Sequence, residues 1–262
     1  MNFEHILYEV KDAVAYITLN HPAKRNPLGG TVKLELCKAF ELCDADDAVR
    51  VVVLRGAGGN FSAGGDANEK RQAIRDNVLL AREACELGAR TNLCLRELRK
   101  PTIAWVEGAI AGSGLTLALA CDFQVVSEEA KCTFAFVNMA IVPDCGLTCI
   151  VTRAVGTTRA NELLLSGRQF SGKEGADWGL FTEAVSEKCL ETRIREYIKT
   201  YKNCPAVAYA SIKEIINRVQ YSGLLAVSDL EIACLERCER TEDYKTAVYS
   251  FLKKEKPQFI GR

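Results

Sequence analysis

Two short runs of small residues in this chain could let a ligand come close to the backbone. One is Phe61-Ser62-Ala63-Gly64-Gly65-Asp66, and the other is Ala111-Gly112-Ser113-Gly114-Leu115-Thr116. Each follows a strand-like apolar run and opens into a helix-like one, where free amides point outward as donors. Either run alone is also ordinary turn chemistry, because glycine is the default residue of tight turns. About fifty residues apart, the two together could set one amide each on a single oxygen, which is how an oxyanion hole is made. Neither matches GxGxxG ahead of a dinucleotide-binding unit or GxxxxGK[ST], so a nucleotide cradle fits poorly.

A reaction at such a site needs a proton carrier. The only histidines are His5 and His21, both near the start, which argues against a Ser-His-Asp or Cys-His arrangement. A carboxylate, a tyrosine, a cysteine or a lysine must serve instead. The acidic candidates are Asp66, Glu69 and Asp144. Asp66 heads a helical pattern and reads as its cap. Asp144 stands in Val142-Pro143-Asp144-Cys145-Gly146 with Ala140, Ile141 and Phe136 nearby, apolar company that suits a carboxyl passing a proton between two carbons. Pro-Asp-x-Gly is equally good turn and cap chemistry. Cys145 has no histidine to activate it as a nucleophile.

The elements that must hold these residues follow from periodicity. Residues 5–9 and 13–20 read as strands, the second closed by His21-Pro22. Residues 31–43 read as a helix with Val32, Leu36, Phe40 and Cys43 on one stripe. Val51-Val52-Val53-Leu54 is the continuous apolar run of a strand buried on both faces. A long polar helix is expected over about 68–99, a buried strand over 101–106, and a short apolar helix over 115–120. Strands are expected at 123–127, 132–137 and 180–185, with helices elsewhere beyond Gly146; Pro205 separates two of them and Pro257 ends the last. Strand and helix alternating in this way predict an α/β sheet with crossover helices. No internal repeat is visible. Residues 1–200 would form the core and residues 201–262 a helical extension of the same domain.

Composition narrows the function classes. The chain has 262 residues, 48% of them hydrophobic, ample for a buried core. Its 34 basic residues balance 34 acidic ones, which argues against a general electrostatic grip on nucleic acid. No apolar run approaches the roughly 20 residues needed to span a bilayer, and residues 1–11 show no signal-peptide core. A cytoplasmic location is expected. The 12 cysteines are scattered without a CxxC pair, which fits neither a disulfide framework nor a metal site and suits a reducing compartment.

The runs FSAGGD at 61–66, AGSGLTLALACDF at 111–123, AFVNMAIVPDCG at 135–146 and EGADWGL at 174–180, with the ending FLKKEKPQFIGR, resemble the enoyl-CoA hydratase/isomerase (crotonase) superfamily. They occur in the family's order and cover essentially the whole chain. The resemblance implies a crotonase-like (ββα)n superhelical core with a helical C-terminal extension, assembled as a homotrimer or dimer of trimers. It implies an acyl-CoA thioester as substrate, with coenzyme A part of that substrate and no separate cofactor. By the same resemblance the amides of Gly65 and Ser113 are the oxyanion donors, and Ala63, Asp66 and Gly112 line the substrate beside them. Lys24 and Arg25 lie where the family meets the nucleotide end of coenzyme A, whose phosphates pair with cations.

The family's hydratases carry two glutamates around the double bond, at the positions of Thr116 and Phe136 here. Neither carboxylate is present. An acid in the next turn, where Asp144 stands, resembles family isomerases, including the ring-forming isomerase of aerobic phenylacetate breakdown, and the aromatic acyl-CoA dehalogenases. The resemblance therefore implies an isomerase with Asp144 as its single base. Two other readings stay open: a hydratase using Asp144 with Thr116 as a water guide, on a cyclic or dienoyl substrate, and a silent acyl-CoA-binding subunit.

Overall fold

The computed structural model describes residues 3–262. A hairpin opens the chain: β1 (Ile6–Lys11) pairs antiparallel with β2 (Val14–Leu19). Its two-residue turn places both Asp12 and Ala13 at positive φ, the geometry that matches the twist of the flanking strands. Then follow α1 (Gly30–Ala45), β3 (Val51–Gly56), α2 (Ala67–Asp76) and α3 (Ala81–Glu97). The middle of the chain runs β4 (Thr102–Val106), β5 (Ala109–Ala111), α4 (Ser113–Leu119), β6 (Phe123–Ser127), β7 (Lys131–Thr133) and α5 (Leu147–Ser166). After β8 (Gln169–Ser171), α6 (Gly172–Asp177) and β9 (Glu183–Val185) come α7 (Glu187–Lys202), α8 (Ala206–Tyr221), α9 (Leu224–Glu239) and α10 (Glu242–Lys253).

Six strands form one sheet in the order β1-β2-β3-β4-β6-β9, parallel except at β1, and β5-β7-β8 form a second. The repeating unit is a strand of the large sheet, a short strand of the small sheet, then a helix. β4-β5-α4 and β6-β7-α5 are two such units. A third is β3, then Ser62 bridged in parallel to Ile110 of β5, then α2. The chain thus repeats in space although its sequence does not, because three-residue strands are too short to print a period-two pattern.

β3 is buried on both faces, as its composition predicts. Val52 and Leu54 enter the main core, while Val51 and Val53 meet Ile103, Val125 and the α7 residues Leu190 and Ile194. The expected helix over 68–99 is instead two. α2 ends on Asn77 in the left-handed conformation, its amide bonded to the carbonyls of Ala73 and Ile74, and α3 starts afresh at Ala81 with its amide on the Glu239 carboxylate. Asn adopts that cap conformation at small cost. The strand expected over 132–137 stops at Thr133, because residues 137–139 tighten into a 3-10 turn closed by Ala140 in the left-handed region. The last strand covers only Glu183–Val185, and α10 ends three residues before Pro257, on left-handed Lys254.

The C-terminal helices fold back over the core rather than trailing from it. α9 packs against α3 and α5, and α10 against α2. A buried ion pair fastens α8: Lys213 Nζ lies 2.8 Å from Asp122 Oδ2, which also accepts from the Thr102 amide and hydroxyl. Among the described residues no helix is long and apolar enough to cross a membrane.

Candidate active site

The two small-residue runs lie side by side. The Ser62 amide donates to the Ala109 carbonyl at 3.2 Å, and the Ala111 amide returns a bond to the Ser62 carbonyl at 2.9 Å. The pairing is parallel and centred on Ser62 and Ile110, and Gly65 and Ser113 each follow it by three residues in sequence. The approach is close enough to require glycine. A Cβ on Gly64 would sit 2.7 Å from the Ala111 carbonyl oxygen, and its φ of +84° disfavours other residues. Neither the Gly65 nor the Ser113 amide has an acceptor among the described residues. Ser113 opens α4, where first-turn amides have no helical partner.

The basic turn is pinned to the first run. The Ala63 amide donates to the Arg25 carbonyl and the Leu28 amide to the Gly64 carbonyl, both at 2.7 Å. Buried Asn26 sends its side-chain amide to the carbonyls of Ala57, Asn60 and Phe61 and receives the His21 amide. Lys24 and Arg25 stay exposed, outside any ion pair among the described residues. Their charge is free to meet an anion.

The three acidic candidates separate clearly. Asp66 caps α2, accepting from the Asn68 amide at 2.7 Å. Glu69 reaches the start of α1, accepting from the Gly30 amide. Asp144 does not cap the helix that follows it. Among the described residues its Oδ2 meets only the Cys85 thiol, at 3.7 Å, and its buried Oδ1 meets no partner. The helix start belongs to Glu231 of α9, which accepts from the Gly146 amide at 2.6 Å and from the Thr148 amide and hydroxyl. Burial raises the Glu231 carboxyl above its ordinary value against the pull of those donors, and neighbouring Asp144 adds to the rise. Burial and the nearby Asp144 push the Cys85 and Cys145 thiols well up, away from thiolate chemistry.

This arrangement can be set beside known proteins. The sequence model described as enoyl-CoA hydratase/isomerase matches residues 9–262. The chain belongs to that crotonase family. It is 31% identical, over 100% of both chains, to a trans-2-decenoyl-[acyl-carrier-protein] isomerase of Streptococcus mutans. It is 32% identical, over 99% of both, to a 1,2-epoxyphenylacetyl-CoA isomerase of Escherichia coli. A crystal structure of an enoyl-CoA hydratase from Mycobacterium avium subsp. paratuberculosis superimposes with a TM-score of 0.89 at 27% identity, covering 99% of this chain and 100% of that one. These matches place the chain in the family of enoyl-CoA hydratases and isomerases and support the crotonase fold.

Thr116 and Phe136, which the resemblance sets against the hydratase glutamates, are both buried. Among the described residues the Thr116 hydroxyl has no partner, and neither has that of Ser113. The Phe136 ring lies 3.9 Å from where a Gly112 Cβ would stand, and its carbonyl accepts from the Ile141 amide. Ile141 in turn packs both on the main core and on Ala81, Cys85, Ile232 and Leu235. Phe136 and Ile141 thus join the second glycine run to the turn that bears Asp144.

Two open clefts, of about 680 and 660 Å³, lie elsewhere, flanking α8, and neither includes a glycine-run residue or Asp144. The candidate site is therefore defined by the chemistry of the glycine runs and Asp144 rather than by cleft size. Asn26, Lys70, Cys85 and Glu231 are its members that periodicity and motif leave unmarked. Lys70, one turn into α2, sets its Cε 3.6 Å from a Gly65 Cβ position. Only the i,i+4 spacing from Asp66 hints at it.

Proposed function

We propose that this chain processes acyl-CoA thioesters through an enolate, as an enoyl-CoA isomerase that shifts a double bond with one carboxylate. The observation that carries the reading is the buried, unpartnered oxygen of Asp144. Buried polar atoms are nearly always satisfied, so an orphaned carboxylate oxygen calls for an explanation. A substrate proton supplies one. The thioester oxygen would lie between the amides of Gly65 and Ser113, which offset the charge that develops when an α-proton leaves. Asp144 accepts that proton and returns it two carbons along. The double bond moves, and no water is consumed. Lys24 and Arg25 would meet the phosphates of coenzyme A, Ala63, Asp66 and Gly112 would flank the thioester, and Phe136 would bound the acyl group.

Thr116 supports a second reading. Its buried hydroxyl without a partner could hold a water against Asp144, and that water could add across the double bond as in a hydratase. Enoyl thioesters of both coenzyme A and acyl carrier protein, incubated with the protein in deuterium oxide, separate the readings. A shifted double bond with α-exchange marks an isomerase, one added water a hydratase, and binding without exchange a silent subunit. Asp144→Asn keeps the size of the side chain and should abolish exchange and turnover while thioester binding remains. Most of the activity surviving that change would sink the single-base reading.

A further inference from the structure

The turn 143–146 offers Asp144 two competing places. Pro-Asp-x-Gly before a helix is a sequence in which the aspartate ordinarily accepts from amides two or three residues on. Here those amides are taken. Gly146 donates to Glu231 Oε2, Thr148 to Glu231 Oε1, and Leu147 to the main-chain oxygen of Asp144. The Asp144 side chain is left toward α3, where the Cys85 thiol is its one donor among the described residues.

We propose that Glu231 is a positioning residue for Asp144: by occupying the start of α5 it keeps the Asp144 carboxylate off the helix end and available to substrate. The inference rests on the reading of Asp144 as the base. Three observations carry it. Glu231 is 5% exposed and comes from 85 residues further along the chain, so it is placed by the fold of α9 and not by local turn preference. The seat of α9 is tight, since a Cβ on Gly146 would stand 2.2 Å from Leu224 Cδ1. The hydroxyl of Thr148 adds a further donor to the same Glu231 oxygen, so the cap satisfies three donors with one side chain.

The like charge of the pair acts in the same direction. Asp144 and Glu231 are both acidic, and the cations Lys33 and Lys70 act on the Cys85 thiol that faces Asp144. Two carboxylates disfavour sharing one helix end. Without Glu231, the buried amide of Gly146 and the part-buried amide of Thr148 would lose their acceptor, which is costly, and Asp144 is the carboxylate that local geometry offers in its place. Its capture by the helix would withdraw the base from the substrate without touching the groups that bind the thioester.

The test measures kcat and KM for a turned-over enoyl thioester in Glu231→Ala, Glu231→Gln, Asp144→Asn and Glu231→Ala/Asp144→Asn, with melting temperature and thioester binding read alongside. Glu231→Ala should lower kcat about tenfold or more with KM within about twofold. Glu231→Gln keeps the size and one acceptor oxygen and should fall between it and the wild type. The double variant should be no slower than Asp144→Asn alone, because the two act through one carboxylate. Should Glu231→Ala fail to fold, Glu231→Gln and its double with Asp144→Asn carry the same comparison. A folded Glu231 variant with wild-type kcat, a loss that falls on KM, or additive losses in the double would overturn the inference. If such results accompany an inactive Asp144→Asn, Asp144 remains the base and only the role of Glu231 falls. An active Asp144→Asn brings down both.

Discussion

Replacing Gly65 by proline removes one N–H and sets a ring carbon where that hydrogen pointed, which makes it a direct probe of the first glycine run. Gly65 is exposed, its backbone lies outside the left-handed region, and its amide has no acceptor among the described residues. Gly64 before it, at φ +84°, has no Cβ to clash with the proline ring. The folding cost should therefore stay within about 1 kcal/mol, a shift of about 2–4 °C in melting temperature for a chain of this size. On the proposed oxyanion role, catalysis would lose one of two donors to the thioester oxygen, about 2.7–4 kcal/mol, or about 10²–10³ in kcat. Gly65→Ala is the control. It keeps the amide, and its Cβ would meet Lys70 Cε at 3.6 Å, ordinary contact, so kcat should stay within about threefold. Both variants can be followed by α-proton exchange in deuterium oxide, by turnover, and by circular dichroism on heating. A folded Gly65→Pro with more than a tenth of wild-type activity would refute the oxyanion assignment. So would Gly65→Ala as impaired as Gly65→Pro.

Thr116→Ala should cost about tenfold in turnover, on the order of 1.4 kcal/mol; a loss as large as that of Asp144→Asn would point to a positioned water and put the hydratase reading first. Asp122→Asn leaves buried Lys213 without its counter-charge and should cost about 3–5 kcal/mol in urea unfolding, and a variant of wild-type stability would show the pair to be dispensable. Burial lowers Lys213 below its ordinary lysine value although Asp122 pulls the other way. The unfolded chain therefore binds more protons between the lowered value and 10.5, and this lysine makes stability rise with pH across that window. Lys213→Met should flatten that part of the stability curve, and an unchanged slope would contradict the shift. α8 exposes Val207, Ile212, Ile215, Ile216 and Val219, an apolar surface that a trimer-based assembly would cover. Native mass measurement should give a multiple of three chains, and a 28.8 kDa species alone would count against it.

What could be read in the sequence was local or repeated along the chain. Val51 to Leu54 announced a strand buried on both faces because four consecutive apolar residues suit little else between polar flanks. The glycine runs were legible because close backbone approach leaves glycine few substitutes, as the 2.7 Å between a Gly64 Cβ and the Ala111 oxygen shows. Asp66 could be read as a cap because its partner lies two residues away. The break at Asn77 lay within reach of helix-stop signals, yet the charged residues on either side continue one helical pattern across it. The identity of the free carboxylate was a different kind of question. Asp144 could be read in the sequence as a cap or as a base, and the cap position is filled instead by Glu231, 85 residues from Gly146. A hydrogen bond between side chain and backbone across that separation leaves no periodicity in either segment. It exists only once α9 is seated, so tertiary structure alone decided which acid was left without a partner.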